Sequence, residues 1–322
     1  MAGAGGTELA IAAMRGGAVG SLPCAMLTAE QAVAQAADVR AAAAGPLNLN
    51  FFCHSLPDPA PDETAWRALL APYYAEEGVA PGAPPPLRRP FDSEACAAVE
   101  VARPTIVSFH FGLPDPALLA RVRGTGALVF GNATTPEEMR WLAERGVDAV
   151  IAQGAEAGGH AGWFLGAAHR PVPLAELLRE PIAVPVIAAG GIVDAADIAR
   201  ALAAGAAAVQ IGTAYLATPE SRIAAPHRAL LGTPAEAAFT NLFSGREARG
   251  LVNRLMRDLG PMRAEAPAFP HASAALAPLR AKAEAEGRGD YSPLWAGAGA
   301  ARVTQNGAEA LTRTLIEALA AA

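Results

Sequence analysis

Val147–Gly162 reads VDAVIAQGAEAGGHAG. An apolar run, Ala149–Ala152, leads into Gln153 and then into a glycine-rich turn carrying one acid, Glu156, and one imidazole, His160. Four apolar residues with no polar alternate read as a strand covered on both faces, the pattern of a parallel sheet between helices. A histidine held among glycines just beyond such a strand lies where an α/β barrel carries its reacting groups, on the loops at the C-terminal strand ends.

Outward from that stretch the chain keeps a beat. Strands start near residues 105, 127, 149, 185 and 207, a step of about 22 with a single longer one of 36. Helices fall between them: Pro116–Val122, a helix opened by the capping box Thr135-Pro136-Glu137-Glu138, and one capped by Asp194 and ended by Gly205. Two earlier strands, Ala18–Leu22 and Leu47–Phe52, complete the series, with a helix capped by Thr7 and another opened by Thr28 and Gln31. Strands and helices in alternation imply βα units and a parallel sheet, with strands apolar on both faces. The long step follows Ala149–Ala152, so inserted residues lengthen the loop that bears His160.

The expected fold is a TIM (β/α)8-type barrel. Its count is one short: seven strands are readable and closure needs eight. The absent strand would precede Met1, so the barrel is expected to lack its first strand or to be truncated there. Residues 1–218 are assigned to the barrel. Residues 219–291 lose the beat and are expected to form a helical lid, with helices around Ser221–Leu231, Pro234–Leu242, Ala248–Leu259 and His271–Glu286. Residues 292–322 are expected to pack back on the barrel through an amphipathic helix, Glu309–Ala321. Asp62–Glu77 reads as another amphipathic helix and the proline-rich Gly78–Pro90 as an extended surface loop.

Composition removes several functions. A net charge of −6 argues against nucleic acid as a partner, since phosphate binding needs a basic face. Lys282 is the sole lysine, so no other position can form a Schiff base. Cys24, Cys53 and Cys96 are few and far apart, which suits reduced thiols in a cytoplasmic protein, and they lack metal-ligand spacing. No apolar run approaches the length of a membrane-spanning helix.

Two glycine turns follow the last two strands, Ala189-Gly190-Gly191-Ile192 and Ile211-Gly212-Thr213. In barrels this pair of loops commonly offers backbone N–H groups to a phosphate. Gln153, Gln210, Asn48 and Asn50 place amides within or at the ends of apolar strands. Each reads either as a satisfied core amide or as a partner for a planar heterocycle such as a flavin. His160 is the favoured base over His54, His169, His227 and His271, and His110 in SFHFG is a second candidate. Glu156 reads as support for the loop.

These residues carry a family resemblance. GAEAGGHAG at 154–162, PVIAAGGI at 185–192 and VQIGTAYLAT at 209–218 resemble the nitronate monooxygenases, FMN-dependent TIM barrels. MAGAGG at 1–6, GGAVGSLPCAML at 16–27, LNLNFF at 47–52, SFHFGLP at 108–114 and FSGREARGLVNR at 243–254 extend the match over nearly the whole chain. The resemblance implies His160 as the catalytic base beside the flavin. It implies FMN contacts from Ala2, Gly3, Asn50, Gln153, Gly158, Gly191, Gln210, Ile211, Gly212 and Thr213, with the last four near the phosphate. The implied reaction takes a nitronate, or a nitroalkane deprotonated by His160, and O2 to a carbonyl compound and nitrite. The implied partners are small molecules, without nucleic acid, membrane or metal, and a homodimer is the assembly compatible with it. The C-terminal pattern departs at Leu294-Trp295-Ala296-Gly297-Ala298, where the family often has a glutamine in the last place. Related barrels leave two alternatives: an FMN-dependent NAD(P)H reductase, acting on an enoyl-acyl-carrier protein or a quinone, or a degenerate flavin-binding protein.

Overall fold

The structure, a computed structural model, describes residues 1, 3–82 and 87–320. Its strands are β1 (Gly20–Pro23), β2 (Leu47–Phe52), β3 (Ile106–His110), β4 (Leu128–Ala133), β5 (Ala149–Gln153), β6 (Gly159–His160), β7 (Val186–Ala189), β8 (Ala208–Gln210), β9 (Ala237–Thr240) and β10 (Ala248–Leu251). Seven of them form one parallel sheet in the order β1-β2-β3-β4-β5-β7-β8. The sheet is a curled half-barrel of TIM type with helices packed outside it. All seven strands read from the sequence are present, shifted by no more than three residues at any end.

The strands differ from expectation in one respect. Register sets Asn50 opposite Ser108 and Phe52 opposite His110, so one face of β2 and β3 carries Asn48, Asn50, Ser108 and His110. The alternate positions Leu49, Phe51, Val107 and Phe109 are buried in the main core under the helices. Side chains alternate along a strand, and only the outer face is sealed by helices. The inner face carries these polar groups together with Ile106 and Phe52 because it borders the site rather than a second apolar layer.

Capping follows the sequence closely. Thr28 and Gln31 form a reciprocal capping box on helix Ala29–Ala42, and Asp194 accepts from the Asp197 amide. Thr7 is the first residue of its helix rather than the cap, which falls on Gly6 without a side-chain bond. Glu138 does not return to its N-cap. Its carboxylate accepts from the amide and hydroxyl of Thr134 and from the amides of Phe164 and Leu165. It thereby pins the loop that follows His160.

The segment after Thr213 corrects the expected run of helices. Pro234–Leu242 contains β9, and β10 occupies the start of Ala248–Leu259, leaving a helix only over Arg254–Leu259. These strands pair antiparallel in a small second sheet ordered β6-β10-β9. A second apolar core lies beside it, built from Trp66, Leu70, Tyr74, Leu242, Leu276 and Leu279 among others. Helix Thr64–Glu77 precedes the segment expected to form the lid, yet it buries its apolar face in that core against helix Ala272–Ala285. Trp66 is its anchor: the ring is fully buried and Nε1 donates to the Ala272 carbonyl at 3.2 Å. Trp66→Ala should lower unfolding free energy by about 3–5 kcal/mol, read as a fall in the urea midpoint; a loss under about 1 kcal/mol would mean that this core contributes little.

Candidate active site

The insertion after β5 takes the chain out of the parallel sheet, and His160 reappears in β6, opposite Ala248 of β10. The next amide, Ala161, donates to the Glu247 carbonyl at 2.9 Å. The His160 carbonyl accepts from Gln153 Nε2 at 2.8 Å and lies 3.2 Å from His110 Nε2. The backbone of His160 is therefore held from the barrel side by two side chains and from the other side by a strand. Its ring Nε2 lies 2.9 Å from Ser244 Oγ.

Aromatic rings wall the imidazole. Centroids of Phe52, Phe111, Phe269 and Trp295 lie 6.2, 6.1, 5.3 and 5.5 Å away. Loss of water disfavours the charged imidazolium. That burial, with the nearby charges of Arg88 and Arg246, holds His160 well below the ordinary histidine range. Burial, chiefly, also lowers His110 to about 3 and His54 to about 4. Arg246 lies between two rings, 4.3 Å from Phe111 and 4.4 Å from Trp163. Its Nε is sealed without a partner, and burial lowers its pKa to about 10. Phe111, directly after His110, has φ of 69°, a left-handed conformation that side chains other than glycine rarely adopt.

A cavity of about 190 Å³ opens beside this cluster, lined by Ser244, Trp295, Phe243, Leu276 and the two cations Arg88 and Arg280. It is smaller than a typical drug-sized pocket, a few hundred Å³ and upward, and suits a compact ligand. Among the described residues no carboxylate lines it.

At the other end of the site, three chain segments converge on glycines. Gly191 has φ of 70°, open to glycine, and its carbonyl accepts from Arg302 at 3.0 Å. Thr213 Oγ1 accepts from the Gly297 amide at 2.9 Å and keeps its own hydrogen to donate. Gly158 lies against the backbone of Ala296 and Gly297, where a Cβ would come within 2.4 Å. Glu156 braces this corner: its carboxylate accepts from the Leu174 amide at 3.0 Å and its carbonyl from the Ala298 amide at 2.9 Å. Among the described residues no group of three or more histidines, cysteines or acids is arranged to hold a metal ion. No described helix is long and apolar enough to cross a membrane.

The family model for nitronate monooxygenase matches residues 1–321. The nitronate monooxygenase of Pseudomonas aeruginosa is 39% identical, with 99% of this chain and 94% of that protein covered. The chain belongs to the nitronate monooxygenase family. The enzyme of that name from Paraburkholderia phytofirmans is also 39% identical, over 94% of this chain and 85% of its own. Among solved structures, nitroalkane oxidase from Streptomyces ansochromogenes superimposes with a TM-score of 0.91 at 37% identity, covering 100% of this chain and 94% of that one. FabK from Thermotoga maritima, with a TM-score of 0.71 at 22% identity, covering 100% of this chain and 91% of that one, shares the fold.

In this nitronate monooxygenase relative the expected site residues fall into two groups. Asn50 lies on the inner face, Gln153, Gly191 and Thr213 lie at or just beyond C-terminal strand ends, and Gly158 and His160 lie on the insertion after β5. Gln210 is exposed in β8 and leads through Ile211 to Gly212, which opens the helical turn Thr213–Leu216. Gly3 has φ of 80° in the first turn, close to Met26, and Ala2 lies outside the described residues. Gln153 carries a further duty. Its Oε1 accepts from Asn132 and from the Gly162 amide, both at 2.9 Å, and Nε2 holds His160, so one N–H is left for any ligand. Ser244, Arg246 and Phe269 are not singled out by the sequence, although FSGREARG lies in a stretch that resembles the family, and Trp295 is named there only within the departing pattern LWAGA. Ser244 lies 84 positions from His160 in sequence, and no local pattern announces such a contact.

Proposed function

We propose that the protein is an FMN-dependent oxidoreductase that converts alkyl nitronates, and nitroalkanes after deprotonation by His160, with O2 to a carbonyl compound and nitrite. The observation that carries the reading is an imidazole buried in a chamber walled by aromatics, where burial disfavours its charged form, with the guanidinium groups of Arg88 and Arg246 close by. A base must be unprotonated to act, and positive charge favours the anion formed when a nitroalkane loses its Cα proton. We read residues 1–218 as the barrel, 219–291 as the lid over the chamber and 292–322 as the return segment. The three thiols are unpaired, in keeping with a cytoplasmic site of action.

The residues present fit FMN. The inner-face amides of Asn48 and Asn50 meet Ser108 Oγ, each at 2.9 Å, while Asn48 Oδ1 is sealed without a partner. That set offers the mixed donors and acceptors a flavin ring takes. Gly191, Gly212 and Thr213 would receive the phosphate, with Gly158 shaping the wall between. When bound, FMN supplies the electron acceptor for the oxidation. The chain itself contributes proton transfer at the imidazole, orientation by the aromatic walls and exclusion of water.

Anaerobic mixing tests this reading. Propyl-2-nitronate should bleach the flavin absorbance, and NADH should not. Bleaching by NADH alone would move the protein to the reductases, and purified protein without flavin absorbance would point to a degenerate binding protein.

A further inference from the structure

We infer that Ser244 fixes the neutral imidazole of His160 as its Nε2–H tautomer and leaves Nδ1 as the atom that takes the substrate proton. This rests on the reading of His160 as the base. Ser244 Oγ has three neighbours: His160 Nε2 at 2.9 Å, the Arg246 carbonyl oxygen at 3.1 Å and the Arg246 amide nitrogen at 3.4 Å. A serine hydroxyl has one hydrogen and two accepting positions. The carbonyl can only accept, so the hydroxyl hydrogen goes to Arg246. The amide can only donate, so it fills one accepting position. The other faces Nε2, which must bring a hydrogen of its own. In the reverse arrangement two hydrogens or none would lie on one of these contacts, and Ser244 is 1% exposed, where an unmade bond costs roughly 1–3 kcal/mol.

The turn that aims Ser244 is rigid. Gly245 has φ of 82°, and a Cβ there would come within 1.9 Å of the Pro267 carbonyl. Its amide donates to Asn241 at 2.8 Å. Among the described residues Nδ1 has no protein partner, and it is absent from the sealed, unpartnered polar atoms, so it keeps some accessible surface. The proton step then balances simply. The Cα–H bond breaks, an Nδ1–H bond forms, and the electron pair moves into the nitro group to give the nitronate. The imidazolium formed still donates Nε2–H to Ser244, and that bond strengthens once the donor is charged. Ser244 acts through the imidazole and is a positioning residue.

The tautomer can be read directly. Protein carrying its cofactor and 15N-labelled histidine is examined by two-bond 1H–15N correlation, with His160 assigned by its disappearance in His160→Asn. The expected pattern has Nδ1 unprotonated and Nε2 protonated at neutral pH. Ser244→Ala should give a mixture of tautomers and lower kcat on neutral nitroalkanes roughly 10- to 100-fold, part of the 10²–10⁴-fold typical of a positioned base, with KM little changed. Ser244→Thr, which keeps the hydroxyl, should recover most of it. An Nδ1–H pattern in the parent protein overturns the inference, as does Ser244→Ala with tautomer and kcat both unchanged. If Ser244→Ala does not fold, the parent spectrum decides alone. The inferred pattern together with a fully active His160→Asn would keep the Ser244 assignment and remove His160 as the base.

Discussion

His160→Asn should lose about 10²–10⁴-fold in kcat/KM on neutral nitroalkanes and much less on nitronates prepared beforehand, which have no Cα proton to give up. The fold should survive, because Gln153 and His110 meet the backbone carbonyl of His160 and not its ring. The pH dependence follows from the same site. An ordinary histidine becomes half protonated near 6.5, and a base with that pKa would lose activity there. His160 is held well below that value, first by burial and then by the nearby cations. The parent protein should therefore keep a flat kcat/KM from pH 8 down to about 6, with its acid limb displaced below the ordinary histidine range. Steady-state rates on nitroethane and ethylnitronate, measured across pH for both proteins, check the prediction. Equal losses on both substrates would assign His160 to substrate placement, and an acid limb centred near 6.5 would mean that the imidazole is solvated.

The second large effect is on stability in acid. His54 and His227 are lowered to about 4 and His110 to about 3, each chiefly by burial. Their unfolded value is near 6.5, so between about pH 6.5 and 4 the unfolded chain binds protons that the folded chain refuses. The folded state thus has its full stability above about 6.5 and loses it as pH falls towards the folded values. Each such histidine contributes a slope of about 1.4 kcal/mol per pH unit. At pH 5 the three together would remove on the order of 5 kcal/mol, comparable to the whole margin of a marginally stable domain. His160 adds in the same direction. Thermal unfolding followed from pH 8 to 4.5 should show Tm level at the alkaline end and dropping steeply below about 6.5. A level Tm down to pH 5 would mean that these rings charge in place.

Much of the barrel was legible because its signal is local and repeated. Short, largely apolar runs separated by capped helices mark β3, β4, β5, β7 and β8 whatever their partners. β9 and β10 were not legible for the opposite reason. Ala237–Thr240 and Ala248–Leu251 are four residues each, in Ala- and Glu-rich surroundings that favour helix. They become strands by pairing with one another and with the two residues of β6, a tertiary contact that overrides propensity. The site divides along the same line. His160 stood out because glycines and an inserted loop surround it in sequence. Ser244 and Arg246 lie on a turn whose chemistry depends on what reaches it from far along the chain. The amide of Gln153 was readable as a ligand contact, but its bonds to Asn132, Gly162 and His160 could not be read from a single strand.

The pairing of β6 with β10 ties two traits that enzymes often vary separately. His160 takes its strand partner from Ala248 and its ring partner from Ser244, and the same segment supplies Phe243 to the cavity. Exchanging the 243–249 segment with that of a relative, in order to broaden the range of molecules accepted, would also redraw the alignment of the His160 imidazole. Diversification in such a scaffold should therefore proceed by paired changes across β6 and the 243–249 turn, and chimaeras cut between them should bind well and turn over poorly.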